Sequence, residues 1–351
     1  MICSSALARR PATIIRALAT GKRVGLVDGT ELNNLTFSRI LIVSAMRQIK
    51  NELKRISWVA GRTLQNGRFL LPLLFAKRGS TLRKYIQARP QILGMVVTPY
   101  ISVVWDASTR IQRIKEHCEV VEHLGRPFNL WGQFYEELDC LGGLGAEYRV
   151  MLDTPPWMIY DGLLSLSIWL EKHRIFVLSF SLARTGPDLV AYIGGIQGQR
   201  GLSALETYRD MTRRAHGLRP RDLLIELFRM IAESIDVTRI YGVSDAIRYS
   251  HSDYFAVQGE RDDRVLLNYD AIWQDRGATL LPDGFFELDL QAKRRDYDKI
   301  APKKRAMYRR RYEMLDEIGT AIRRVLHPDN SLPPLRQHLV ANGNESLCSD
   351  Q

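Results

Sequence analysis

The chain changes its hydrophobic rhythm near its middle. Over residues 36–142 apolar side chains recur every three or four positions. Ile42, Met46, Ile49, Leu53 and Ile56 fall on one stripe, with Arg47, Lys50, Lys54 and Arg55 on the remaining surface, the pattern of an amphipathic helix. A second helix is predicted after Asp106, a suitable N-cap, with Ile111, Ile114, Cys118 and Val121 on one face and Gly125 and Pro127 ending it. From 143 to 290 the apolar runs shorten and become β-branched. Runs at 163–170, 175–183 and 189–196 are separated by polar links, one containing Gly186-Pro187, so an antiparallel meander is expected. Pro220 then suits the first turn of a helix whose apolar face carries Leu223, Leu224, Leu227, Phe228, Ile231 and Ile235, and 237–243 reads as another strand. The expected class is α+β: a helical N-terminal region beside a mixed sheet with helices packed on it.

Five zones follow. Residues 1–35 are loosely structured, with a short basic helix at 6–19; 36–142 is helical; 143–290 is the α/β core. Residues 291–326 form a basic helical segment, and 327–351, rich in Pro, Asn and Ser, reads as a disordered tail.

With 351 residues and 45% hydrophobic content the chain can bury a large core. Its net charge of +11 is concentrated: residues 293–311 hold ten Lys or Arg against Asp296 and Asp298, a local +8. Such a run points to an anionic partner. Lys303, Lys304, Arg305, Tyr308, Arg309, Arg310 and Arg311 are its centre. Interleaved tyrosines suit nucleic acid, whereas the missing helix-turn-helix, zinc-finger or RNP signature favours anionic lipid or an envelope precursor. A solvated helix face is the plain alternative. The four cysteines form no CxxC pair, so neither a disulfide framework nor a zinc module is expected. His117 and His123 are six apart on a helix and do not share a face, so no metal site is expected there. No apolar run reaches spanning length and no leader-like segment opens the chain, which implies a cytoplasmic protein, peripheral at the inner membrane if the basic run docks there.

Candidate chemistry gathers after the third β-run. Gly194, Gly195, Gln197, Gly198, Arg200 and Gly201 follow a strand, where backbone N–H groups can meet a phosphate; equally, the glycines can permit close packing. Arg219 and Arg221 are candidate anion clamps before a helix, and His216 a candidate base or a cap. Asp270, between Tyr269 and Trp273, is a second acid–base candidate, or simply a helix cap. Ser244 and Asp245 end a strand, where site residues collect.

The residues YIGGIQG at 192–198, HGLRPR at 216–221, Tyr269-Asp270 with Trp273, and KKRAMYRRRY at 303–312 resemble the VirK/YbjX family of bacterial proteins. The resemblance covers roughly 80–326. It implies a link to the cell envelope, virulence and tolerance of cationic peptides, and supplies no catalytic residues. The order meander, glycine turn, helix, strand also resembles acyl-CoA N-acyltransferases of the GNAT type, which cradle the cofactor pyrophosphate on an (Arg/Gln)xxGx(Gly/Ala) turn. Here 214–219 comes near that motif with Arg219 in place of the final small residue, and 197–200 with Arg200 in place of the first glycine. That resemblance implies an acyl-CoA-dependent transferase. The alternative is a regulator that binds nucleic acid or anionic lipid through 293–312.

Overall fold

Alternation in the middle third of the chain becomes a meander whose two faces are both covered. In the computed structural model, β3 (Leu164–Leu170), β4 (His173–Thr185) and β5 (Asp188–Gly198) pair antiparallel in sequence, β4 and β5 turning through Gly186 at φ +62°. The structure describes residues 56–327, except 58, 132–133, 139–140, 200–201, 253 and 255–266, together with 336–337. These lie within one unit, Arg55–Gly343. The readings for the first helical stripe up to residue 55 and for the tail beyond 327 fall outside the described residues, apart from 336–337.

Two further strands precede the meander: β1 (Phe134–Leu138) and β2 (Tyr148–Asp153), antiparallel to each other, with β2 antiparallel to β3. β1 lies inside the stretch read as helical. Its FYEEL sequence carries adjacent glutamates, yet Glu136 is buried because Arg126 meets it at 2.8 Å. After β5 the chain forms α-helices that cross back to β6 (Val237–Val243), which runs parallel to β5. Then come β7 (Thr279–Leu280) and β8 (Phe285–Leu288), with β8 antiparallel to β6. A short β9 (Arg336–Gln337) pairs with β1, giving the sheet order β7-β8-β6-β5-β4-β3-β2-β1-β9. The α+β class read from the sequence is what the chain adopts.

The helices divide between the sheet's faces. α1 (Thr81–Ala88) and α2 (Ala107–Leu124) lie on one side. Asp106 caps α2, accepting from the Thr109 amide at 2.7 Å, and Ile111, Ile114, Cys118 and Val121 are buried as the spacing predicts. His117 is buried too, and its Nδ1 accepts a hydrogen bond from the Leu182 amide at 3.1 Å. Burial lowers the imidazole to a pKa of about 3, so it sits in the core as a neutral acceptor. The opposite face carries Phe176, Leu178, Phe180 and Leu182 of β4, where Phe180 packs edge-on to Phe228 of the helix opened by Pro220. On the α2 side the strands use small polar residues: Ser165 meets Ser179 at 2.5 Å, and Ser181 meets the Tyr100 hydroxyl. Among these, Arg174 pairs with Asp153 at 2.6 Å, bonds Ser167, and is sandwiched by Trp157 and Trp169.

Candidate functional site

The parallel strands β5 and β6 are paired only from Leu189 opposite Val237 to Ile193 opposite Gly242. Beyond that point they part, β6 ending at Val243 while β5 continues to Gly198. The parting begins at an irregularity. Ser179 faces Gly195 and Phe180 faces Ile193, so Gly194 is the extra residue of a bulge. Strand ends that diverge in this way expose backbone and make room for side chains.

One residue closes the opened edge of β5 and another covers the bulge. From α5 (Tyr269–Asp275), the Tyr269 hydroxyl accepts from the Ile196 amide at 2.8 Å and donates to the Ile196 carbonyl at 3.0 Å. From the β2–β3 connection comes Asp161. A methyl group on Gly194 would lie 2.1 Å from the Asp161 carbonyl oxygen, and one on Gly195 would lie 2.2 Å from its Oδ1. Both glycines therefore exist to admit Asp161. Of the two readings of this pair, close packing is the one realised at these positions.

Asp161 is 1% exposed. Burial pushes its carboxyl up to a pKa of about 7, opposed by the charge of Arg248 and by a hydrogen bond from Tyr249. Among the described residues its Oδ2 has no hydrogen-bond partner, and neither do the Ser244 hydroxyl or Arg248 Nε. Arg248 lies over the Tyr269 ring at 4.1 Å and faces Asp245 at 3.5 Å; Tyr249 stacks on Tyr160. A carboxyl that titrates near neutrality beside a guanidinium and two phenols can accept and release a proton at physiological pH. Sequence reading passed over Asp161, because an Asp-Gly pair after two prolines looks like a turn. The available signal lay elsewhere, in two adjacent glycines inside an otherwise buried strand.

The other candidates are distributed as follows. Asp270 braces the helix entrance: its Oδ1 accepts from the Asp245 amide, and Asp245 Oδ2 accepts from the amides of Tyr269 and Asp270. Asn268 is the cap of α5. Gln197 and Gly198 continue β5 opposite Val177 and Phe176, while Arg200 and Gly201 lie outside the described residues. α3 (Leu202–Arg214) comes after β5, and α4 (Pro220–Ser234) follows it.

Gly194, Gly195 and Gly198 lie within β5 rather than in a turn, and His216, Arg219 and Arg221 stand past the far end of α3, whose 13 residues put about 18 Å between them and the start of that helix. Arg221 is engaged by Asp222 at 3.1 Å and approaches Asp275; Arg219 is exposed and leads into α4. His216 has φ +50°, and its carbonyl is held by Arg311. So the second motif meets the basic segment rather than the glycines.

That segment is helical only from Pro302, where α6 (Pro302–Leu326) begins; 291–296 precede it without helix, and 297–299 form a single tight turn. α6 packs along α4 through Met314, Ile318 and Ile322. Lys303, Arg309 and Arg310 are exposed, Arg305 bonds the Ile300 carbonyl, and Tyr308 lies under Arg311. Among the described residues no helix is long and apolar enough to cross a membrane.

Comparison with known proteins agrees with the motifs. The pattern that defines a family described as a protein of unknown function, DUF535, matches residues 47–324. An uncharacterized protein of Haemophilus influenzae (strain ATCC 51907 / DSM 11121 / KW20 / Rd) is 27% identical over 233 residues, 66% of this chain and 76% of its own length. A second one from that organism is 25% identical over 264 residues, 71% and 85% of the two lengths. The uncharacterized protein YbjX of Escherichia coli (strain K12) is 30% identical over 141 residues, 40% of this chain and 42% of its own. No solved structure matches the chain significantly. Matched over most of its length and with YbjX among its relatives, the chain belongs to the DUF535 family, that of the VirK/YbjX proteins.

Proposed function

We propose that the chain is a group-transfer enzyme of GNAT-like architecture acting on a cell-envelope component, with Asp161 as its proton acceptor. The observation that carries this reading is the parting of β5 from β6 at the Gly194 bulge, with a buried carboxyl of pKa about 7 packed against that bulge. An amine or hydroxyl that takes up an acyl group loses a proton, and on this reading an ionised Asp161 receives it. Its pKa near the working pH lets it pass that proton on to water. The envelope assignment rests on the VirK/YbjX relationship, and with it a cytoplasmic enzyme working at the inner face of the membrane.

The residues assigned to acyl-CoA from the sequence do not assemble into its cradle. Gly194 and Gly195 are filled by Asp161, the Ile196 backbone is engaged by Tyr269, and Arg219 and Arg221 lie past the far end of α3. The test is a thermal-shift screen with acyl-CoAs of increasing chain length, followed by thiol release with amine and hydroxyl acceptors. A ligand of the native state raises the melting temperature by mass action. Asp161→Asn is expected to keep donor binding and lose turnover. Absence of any acyl-CoA shift together with no thiol release would overturn the reading.

A further inference from the structure

In α6, Lys304, Tyr308 and Arg311 recur at i, i+4 and i+7, so they share one helix face, and Tyr312 borders it. That face forms one wall of a groove of about 890 Å³. α4 along its length forms another, the strap of residues 289–295 a third, and residues 275–277 complete the lining. The Tyr312 hydroxyl accepts from the Arg295 amide at 3.0 Å, tying strap to helix. Lys303, Arg309 and Arg310 point elsewhere and are not part of the lining.

The charges in this groove are not balanced along its length. Arg229 and Arg276 are paired with Glu226 and Asp222, Lys293 with Asp289, and Arg294 with Asp316. Glu233 accepts from the Gln291 amide nitrogen. Arg219, Arg295 and Lys304 have no ion-pair partner among the described residues, nor has Arg323 further along α6 beside Gly319, and all four are exposed. The first three are joined by Arg311, whose Nε and Nη2 are spent on a carbonyl that carries no net charge. α4 contributes its N-terminus at the same end, where Arg219 supplies no side-chain cap. Cations thus converge from three elements on one concave end of the groove. A carboxylate takes its donors mainly in one plane; a tetrahedral phosphoryl group takes them from several directions and carries more charge.

We propose that this end of the groove binds a phosphoryl group, the phosphate monoester or diphosphate of a lipid headgroup or of its soluble counterpart. The site stands apart from the β5–β6 parting and does not depend on the transferase reading. It also divides the basic run. Lys304 belongs to the site together with Arg219 and Arg295, which lie outside the run's centre, whereas Lys303, Arg309 and Arg310 contribute only to the general field.

The experiment compares two pairs of charge-removing substitutions at exposed positions in the full chain. Arg295→Gln with Lys304→Gln removes two groove cations; Lys303→Gln with Arg310→Gln removes two from outside it. Inorganic pyrophosphate is titrated calorimetrically, and flotation is measured with phosphatidylcholine vesicles containing phosphatidic acid, or phosphatidylserine at equal surface charge. The groove pair is expected to lose about tenfold or more in pyrophosphate affinity or in phosphatidic-acid flotation, the outer pair only a small factor. Pyrophosphate binding without flotation identifies a soluble ligand; flotation on phosphatidic acid, competed by pyrophosphate and exceeding that on phosphatidylserine, identifies the lipid. Equal losses in both pairs, or a single-stranded oligonucleotide bound equally by both, would overturn the site in favour of a diffuse cationic surface. So would a parent chain that binds neither pyrophosphate nor phosphatidic acid.

Discussion

Arg311 holds the main-chain carbonyl of His216 with a two-pronged hydrogen bond, Nε at 3.0 Å and Nη2 at 2.8 Å. The residue it holds is left-handed, φ +50°, followed by Gly217 at φ +79°. A fork from α6 therefore fixes the reversal between α3 and α4. A charged donor pair on a neutral acceptor contributes about 1.5–3 kcal/mol. Arg311→Ala is expected to lower unfolding free energy by about that much in urea titration, with Arg311→Lys recovering only part because one ammonium cannot reproduce the fork. Equal stability of the parent and the alanine variant would show that the reversal holds itself.

Asp161 sets a pH dependence of defined sign. Its carboxyl is raised from 3.8 to about 7 on folding, so between those values the folded chain holds a proton that the unfolded chain has released. Stability contributed here is full below pH 4, falls as pH rises towards 7, and stays lower above it, by an amount on the order of a few kcal/mol. Asp161→Asn is expected to flatten unfolding free energy across that window and to raise it at pH 8 relative to the parent. A parent and variant with parallel pH profiles would place the ionisation elsewhere.

Gly194 and Gly195 should respond differently to the same methyl group. At Gly194 it meets the Asp161 carbonyl, which is main chain, and at Gly195 the Asp161 carboxyl, which is side chain. Both alanine variants are expected to be destabilised by about 1–3 kcal/mol or more. Combined with Asp161→Ala, the Gly195 variant should recover much of its loss and the Gly194 variant little. That asymmetry in a double-mutant cycle is the measurement; equal recovery would contradict the placement of the carboxyl.

The buried pair Arg174–Asp153, with side chains 2% and 0% exposed, should be costly to break and cheap to replace. Arg174→Met alone removes the guanidinium that meets the buried Asp153 carboxylate and is expected to cost about 3–5 kcal/mol. Adding Asp153→Leu and Ser167→Ala is expected to restore most of it, read as the midpoint of chemical denaturation. A triple variant no better than the single would show that the pair itself contributes to stability.

The sequence made the meander legible because β3 to β5 are bounded by polar links and a Gly-Pro turn, and it made α2 and α4 legible through Asp106 and Pro220. β1 was hidden because burial of Glu136 depends on Arg126, a partner from another element. The site was harder to see. Its backbone half, Gly194 and Gly195, was visible as glycines in a strand; the carboxyl they admit comes from a loop more than thirty residues earlier. Neighbours brought together by the fold leave no local periodicity. The same holds for the groove, whose cations come from three elements read as two, a clamp before a helix and one basic helical segment.

The two edges of β5 differ in what must happen before each is covered. Its edge towards β4 is reached through a single turn, whereas its edge towards β6 waits until α3 and α4 have carried the chain across the sheet. Closing that longer stretch costs more chain entropy and comes later in assembly. The bulge with its two glycines is thus laid down first, on the β4 side, while the opening beside β6 takes shape last. In pulse-labelled refolding, amides of the β4–β5 ladder are expected to gain protection ahead of those of β6. The opening beside β6 is consequently the youngest part of every folded molecule, and the part a partially assembled chain would lack.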